Sequence, residues 1–432
     1  MKKFYYLIKK EIRDLFFSRA SFIFLIIYSF ILGYGFYSAV DIYSKASVAA
    51  INNPLYSSGF EPSQGIFVPA LGSLFLIFSL FFPFLIIPLI IFEKEQNTIT
   101  LLLQIPFSFN EIVISKLIAS ILFLFLLLLM ILPAIVIWYY LGGHIPSNEI
   151  ILLFLGYFLY GLFVVTVSLF SGSLFKTIGS ASIFAIFIIM ISWLIDFGKE
   201  MNVAPFAIFL SNYTVTKMLS YFEKGIFSLS AIIYFLTICL FFILLTLSLI
   251  QIKLNFKLLS TAVVIIFLGA FSIFETSFNF DITESHRNSF SNAIVANLRK
   301  VPLIEIDIYL RKNDSRYKDY ENSFLQKLLL VKRDVKVVFM KDKELEENYG
   351  KFVYKINGRK AFTYSNSEEE IFPIIFKLAN IKTSKPSNIS NFPGYPLVVP
   401  KSRELIINYT YYILIPIIFT LIYLFKRRMR KW

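Results

Sequence analysis

Charge is what this 432-residue sequence has least of: Asp, Glu, Lys and Arg together make up 16% of it. A soluble chain carries roughly 25%, because its surface must face water. With 57% hydrophobic residues and 50 phenylalanines, much of this surface must face lipid, which excludes an ordinary soluble globule. There is a single cysteine, Cys239, and it lies inside an apolar run, so a disulfide framework is excluded. The two histidines, His144 and His286, are far apart and fit no zinc-like spacing, so a metal site is not expected. No stretch fits G-x-x-x-x-G-K-[ST]. The nearest string, Gly172–Thr177, lacks the spacing and ends an apolar run, so this chain is not expected to hydrolyse ATP by itself. The apolar runs are almost free of ionisable residues, each of which would cost about 2.5–3.5 kcal/mol there. That leaves a proton- or sodium-coupled transporter without its relay. Nor does any cluster of polar residues assemble the set a membrane-embedded enzyme would need.

What is present is a series of apolar runs long enough to cross a bilayer, for which about 20 residues suffice. They fall near Phe16–Val40, Pro69–Phe92, Ile114–Leu141, Ile150–Phe175, Ile178–Phe197, Ile226–Ile250, Leu258–Phe274 and Leu405–Phe425. The opening run is too long for a cleavable leader and no small-residue cleavage site follows it. Pro83 and Pro88 are expected to bend the second span, Pro133 the third and Pro416 the last. The fold class is therefore an α-helical polytopic membrane protein of about eight spans.

Net charge is +14, and its distribution sets the orientation. Segments 1–19, 93–116, 175–180, 251–257 and 426–432 hold 16 Lys and Arg, whereas the alternate short loops 41–68, 142–149 and 197–225 hold 4. Basic loops stay on the cytoplasmic side. Both termini are expected in the cytoplasm and residues 276–404 outside it, in a cell (inner) membrane. Basic residues gathered beside spans fit anionic lipid rather than a nucleic-acid groove, so no nucleic-acid partner is expected.

Residues 1–18 place Phe4, Ile8, Ile12, Leu15 and Phe16 at three- and four-residue spacing among lysines. That pattern fits an amphipathic helix lying along the inner leaflet; the alternative is a plain positive anchor. The loop from Glu93 to Lys116, EKEQNTITLLLQIPFSFNEIVISK, contains an apolar stretch too short to span and ended by Pro106. Such a stretch either docks a soluble partner or rests on the lipid interface.

The run from Phe92 to Leu117 resembles the corresponding loop of ABC-2 type permeases. The matching positions are Glu93 closing the second span, Thr98 opening a coupling helix, Leu101, Leu102 and Leu103, the Pro106–Ser108 turn, and Lys116 opening the third span. Asn97 stands where the family usually has glycine; Asn tolerates the same left-handed backbone. The order of parts agrees too: an amphipathic start, six spans, and a sizeable outer loop between spans five and six, over about residues 1–255. The resemblance implies a separate ATPase subunit, with ATP and Mg held there and no cofactor in this chain. It also implies a homodimer, or a heterodimer with a related permease.

Between Glu275 and Glu404 the composition turns to that of a soluble α/β domain. Leu303–Arg311 alternates as a half-buried strand, Tyr317–Val331 has helical spacing, and Val335–Met340 reads as a buried strand. Asn357-Gly358 joins a hairpin, Ser367-x-x-Glu370 is a capping box, and Asn380–Pro400 reads as a linker. Asp281, Thr283, Arg287 and Ser289, followed by a helix and a strand, are similar to the start of the outer domain in the auxiliary subunit of gliding-motility type ABC permeases. The segment Tyr354–Leu378 is similar to that subunit as well. The resemblance implies a fusion: a permease domain (1–255), a seventh helix (256–275), an outer domain (276–404), an eighth helix (405–425) and a basic tail (426–432).

Thr166, Ser168, Ser182 and Ser192 are among the span hydroxyls that a substrate pathway could use, with helix packing the default reading; Asp196 closes the fifth span and is expected at the outer interface, with a pathway role as the alternative. The function expected is a permease subunit exporting an amphipathic or lipid-linked molecule, powered by a partner ATPase. The alternative is a transmission device that acts on envelope proteins through the outer domain while nothing crosses.

Overall fold

The computed structural model describes residues 2–53, 57, 59–95, 108–200, 210–250, 256–275, 278–311, 314–332, 334–340, 342–381 and 392–429. The chain divides into two compact units, Met1–Phe278 with Pro393–Trp432, and Asn279–Phe392.

In the first unit, α1 (Lys2–Phe16) is the amphipathic helix, and Ser18 then caps α2 (Arg19–Asn52) by accepting from Ser21 N at 3.0 Å. The 34 residues of α2 rise about 50 Å, well beyond the roughly 30 Å of a hydrocarbon core. The first span therefore continues as helix for 12 residues past Val40, where an outer loop is expected from hydropathy. The second span is interrupted: α3 (Val68–Leu80), α4 (Pro83–Ile86) and α5 (Pro88–Glu95) break where Pro83 and Pro88 supply no N–H. The third divides the same way into α6 (Phe109–Leu129) and α7 (Leu132–Tyr140), with Pro133 in the first turn of α7. Next come α8 (Ser147–Leu174), α9 (Ile178–Glu200), α10 (Val215–Glu223), α11 (Leu229–Ile250) and α12 (Phe256–Glu275).

Among the described residues, seven helices are long and apolar enough to cross a membrane, the last covering Lys401–Lys426. The seventh run expected from sequence, Leu258–Phe274, coincides with α12, whose described apolar part, Lys257–Gly269, is shorter. The spans are joined by buried polar ties. Tyr28 donates to Leu127 O at 2.8 Å, and the Ser79 and Tyr160 hydroxyls meet at 2.5 Å. Glycines permit the closest approaches: a Cβ on Gly156 would lie 2.5 Å from Phe222 Cβ, so α10 rests directly on α8.

The second unit holds α13 (Asn292–Leu298), β1 (Ile304–Ile308), α14 (Ser315–Tyr320), α15 (Gln326–Val331), β2 (Val335–Phe339), α16 (Asp342–Glu347), β3 (Phe352–Ile356), β4 (Arg359–Thr363) and α17 (Glu368–Leu378). The sheet order is β2-β1-β3-β4, with β1 parallel to β2 and antiparallel to β3. Alternation selects the buried face: Ile304, Ile306, Ile308, Phe352, Tyr354 and Ile356 join one core with the apolar sides of the helices. Asn357 and Gly358 both take positive φ, at 51° and 75°, as a tight hairpin turn requires. Ser367 caps α17 by accepting from Glu369 N at 3.3 Å. The reciprocal half of the expected capping box is absent, because the Glu370 carboxylate instead accepts from Thr363 Oγ1 at 3.3 Å.

The last span belongs to the first unit, as α18 (Lys401–Asn408), a π-turn over Tyr409–Leu414, and α19 (Ile415–Met429) with Pro416 in its first turn.

Candidate functional site

The two ends of the loop identified from sequence are held by four buried or half-buried charges. Helix α1 turns Leu7, Glu11 and Leu15 inward, one residue per turn, so an acid occupies the centre of its buried seam. An isolated carboxylate in that position would be prohibitive. It is matched by Lys116 of α6, equally buried, whose Nζ lies 3.1 Å from Glu11 Oε2 and 2.8 Å from Glu93 Oε2. Lys10 completes the ring from the exposed side, 2.6 Å from Glu93 Oε1 and 3.2 Å from Glu11 Oε1. Two acids and two bases cancel, so the end of the second span, the start of the third and the amphipathic helix are locked by one neutral cluster.

Electrostatics agree with that balance. Burial alone would raise the Glu93 carboxyl, but the Lys116 and Lys10 ammoniums outweigh it and hold it below the usual carboxylate range. Burial would lower Lys10; Glu11 and Glu93 reverse this and raise it.

The next residue points elsewhere. Lys94 donates to the last carbonyls of α8, Gly172 O at 2.9 Å and also Ser173 O. A cation at a helix C-terminus satisfies orphan carbonyls and the dipole together. Burial nonetheless lowers the Lys94 ammonium to about 8. Adjacent residues at the foot of the loop thus bind α1 and α6 on one side and α8 on the other. On the far side, Ser108 caps α6 with a full capping box to Glu111.

Of the loop residues named from sequence, Glu93, Ser108 and Lys116 are placed here; Thr98, Leu101, Leu102, Leu103 and Pro106 lie outside the described residues. Glu11, Lys10 and Lys94 were not singled out by sequence reasoning. The signal that could have found Glu11 is an acid at four-residue spacing between Leu7 and Leu15.

The polar residues considered for a pathway separate into two places. Thr166 and Ser168 donate to carbonyls of their own helix α8, at Phe163 and Val164, by 2.9 and 2.6 Å. Ser182 is buried on α9. Ser192 and Asp196, one turn apart on α9, come together at the start of α10. Ser192 Oγ accepts from Val215 N at 3.2 Å, and Asp196 accepts from Thr214 Oγ1 at 3.0 Å and from Thr216 Oγ1.

A second constellation lies at the far end of α2. The residues before the last span run extended along the helical extension that hydropathy does not reveal. Val399 N donates to Ser44 Oγ at 2.8 Å, Leu397 N to Ser47 Oγ at 3.0 Å, and Tyr43 OH to Tyr395 O at 2.7 Å. Tyr395 N donates to Phe60 O at 2.8 Å, and its ring stacks on His144 with centroids 3.8 Å apart. The last stretch of the expected linker, residues 392–400, is therefore fastened along α2 from Tyr395 onward. Deeper in, Ser29 Oγ donates to Tyr411 O at 2.5 Å and Tyr411 OH to Met130 O at 3.2 Å, so the last span is bolted to the first and third.

The stretch from this α2 extension through the foot of the loop to the end of α9 can be compared with known families. Residues 41–198 match the ABC-2 family transporter protein model. No curated protein and no solved structure matches the chain. The part similar to ABC-2 transporter permeases contains Glu93, Lys94, Lys116 and the close of α8, and it stops before the Asn279–Phe392 unit.

Proposed function

We propose that this chain is the membrane-spanning permease subunit of an ATP-driven ABC-2 type transporter, and that residues 96–107 dock a separate ATPase chain. The observation that carries the reading is the ion pair of Glu93 with Lys116, which fixes both ends of that stretch to α1 while Lys94 ties it to α8. A rigid foot of this kind lets a force applied to a short loop reach three helices rather than dissipate in side-chain motion. ATP and Mg belong to the partner. The permease pairs with a second copy or a related chain, and the substrate is amphipathic or lipid-linked, in keeping with spans almost free of ionisable groups.

Eight crossings with both termini in the cytoplasm are part of the reading. The rings of Phe22, at the start of the first span, and Tyr423, near the end of the last, are 5.1 Å apart, which supports an even number of crossings. Affinity purification of the whole chain from native membranes in mild detergent, with mass spectrometry, tests it. A stoichiometric companion bearing a phosphate-binding loop is the expected result; its repeated absence, under conditions that preserve a control complex, contradicts it.

A second reading is favoured by the fastening of Tyr395–Val399 to α2. In it, motion of the first span is passed to residues 279–392, which act on envelope proteins while nothing crosses. Removing 279–392 while keeping 393–400 separates the two. A pump keeps substrate-stimulated ATP turnover in the assembled complex, whereas a transmission device loses its envelope phenotype with turnover intact.

A further inference from the structure

The sheet of the Asn279–Phe392 unit ends on β4, and the turn that makes this strand also sets what its free edge presents. The two-residue turn at Asn357 and Gly358 closes on the pair Ile356–Arg359, which in such a hairpin exchanges both backbone bonds. Alternation from there turns the N–H and C=O groups of Arg359, Ala361 and Thr363 toward β3, and those of Lys360 and Phe362 away from the sheet. Among the described residues, no backbone hydrogen bond outside the sheet reaches Lys360 or Phe362. Both side chains are exposed, Phe362 by 56%, on the face opposite the core. Lysine on an open edge discourages pairing with other strands. Here the charges fit one partner, a second copy of the same strand.

We infer that β4 pairs antiparallel with β4 of a second copy of the chain, around a two-fold axis at Ala361, so that the two sheets become one. In this register Lys360 of each copy lies opposite Phe362 of the other, and their outward N–H and C=O groups exchange bonds. Ala361 meets its own copy as the close, non-hydrogen-bonded pair, with Cα atoms about 4.5 Å apart, where a methyl group is small enough. Charge complementarity selects the occupant and the register. Arg359 is set opposite Thr363 of the second copy, whose hydroxyl donates to Glu370 Oε2 at 3.3 Å, so a guanidinium approaches a carboxylate at each end of the pair. Within its own chain Arg359 Nη1 donates to Asn380 Oδ1 at 2.6 Å, which leaves its other donors for this contact. On the opposite face the Phe362 ring carries the Lys351 ammonium 5.0 Å from its centroid and offers its exposed side to the methylenes of Lys360. Centring the axis on Lys360 would oppose two ammoniums, and centring it on Phe362 would carry Arg359 past the end of the neighbouring strand. The inference rests on the second-copy form of the pairing proposed above and does not involve the ATPase. A chain that keeps its ATPase and fails the test below loses this inference alone.

The test uses the full chain in native membranes, with Cys239→Ser to remove its only thiol and with every variant compared at equal membrane yield. Ala361→Cys should give a disulfide-linked dimer under mild oxidation, seen on a non-reducing gel. Its yield should be several-fold above that of Lys336→Cys, an exposed position on β2 at the opposite edge of the sheet. On the Ala361→Cys chain, Arg359→Glu should lower the dimer yield several-fold, and adding Glu370→Arg should restore it, a recovery that a misfolded chain cannot show. An Ala361→Cys chain that stays monomeric, or that cross-links no better than Lys336→Cys, overturns the pairing. So does a yield that Arg359→Glu leaves unchanged, or a charge swap that fails to restore it.

Discussion

The carboxylate of Glu93, in the last turn of α5, lies 2.8 Å from the ammonium of Lys116, two turns into α6. Twenty-three positions separate them in sequence, and Glu11 of α1 meets the same ammonium from the other side. Three elements that hydropathy treats as independent thus share one charge cluster, and its consequences can be measured.

Lys116→Met leaves Glu11 and Glu93 facing each other with Lys10 alone to compensate. Breaking a buried pair in this way costs about 3–5 kcal/mol. A fall in melting temperature of the purified protein in detergent is expected. Glu11→Leu combined with Lys116→Met removes both buried partners and leaves the rim pair of Lys10 and Glu93, so the double variant melts closer to the unaltered protein than Lys116→Met does. Additive losses would mean that Glu11 and Lys116 do not act as a pair.

Lys94 gives a pH signature. Its folded ammonium is lowered to about 8 against about 10.4 for a solvated lysine. Between those values the unfolded chain binds more protons, so stability contributed by this position rises as pH rises through that window. Compared with Lys94→Gln, the unaltered protein should gain in melting temperature from pH 7.5 to pH 10, in the same detergent. A difference between the two that stays flat with pH would show that Lys94 is not buried against the end of α8.

Gly33 controls the seat of the last span. A Cβ there would lie 2.4 Å from Tyr411 Cβ, an atom that no rotamer change can move away. Gly33→Ala should lower thermal stability by an amount typical of overpacking, about 1–3 kcal/mol. Tyr411→Gly in the same chain should relieve the clash, though not the lost ring. If Gly33→Ala melts normally, α2 and the last span do not approach as described.

The Ser44–Val399 contact can be trapped covalently. Because Cys239 is the sole cysteine, Cys239→Ser gives a background free of thiols. Adding Ser44→Cys and Val399→Cys should then produce an intramolecular cross-link under mild oxidation, seen as protection of the 44 and 399 thiols from a maleimide tag. Each single variant should label fully, and a double variant that labels as fully would remove the fastening.

These tests fall where sequence and structure part company. The strands of the 279–392 unit were legible because Ile304, Ile306 and Ile308 alternate with polar residues, and Asn357-Gly358 admits few other conformations. Glu93 and Lys116 were legible as loop ends by resemblance, but their partner Glu11 was not. An acid on an apolar face reads as a break in the pattern until a buried lysine is known to oppose it. The extension of α2 over residues 41–52 was hidden for a related reason. Its Ser44 and Ser47 lower hydropathy, yet they are buried because backbone N–H groups of Leu397 and Val399 need acceptors there. Pro, Ser and Asn made Asn380–Pro400 look like a linker, and nothing local announces that its last residues lie along a helix some 350 positions earlier. Ser192 reads from sequence as a packing or pathway hydroxyl and Asp196 as a span-end acid; only the fold brings Thr214 and Val215 to them.

The central claim is that residues 96–107 dock an ATPase, and the most direct measurement changes only that stretch. Leu102→Asp with Leu103→Asp, in the tagged full chain, is compared with the unaltered chain by quantitative co-purification from native membranes. The account predicts normal membrane insertion and yield with the ATPase companion lost. A double variant that retains its ATPase at the unaltered ratio would contradict the assignment of the docking loop.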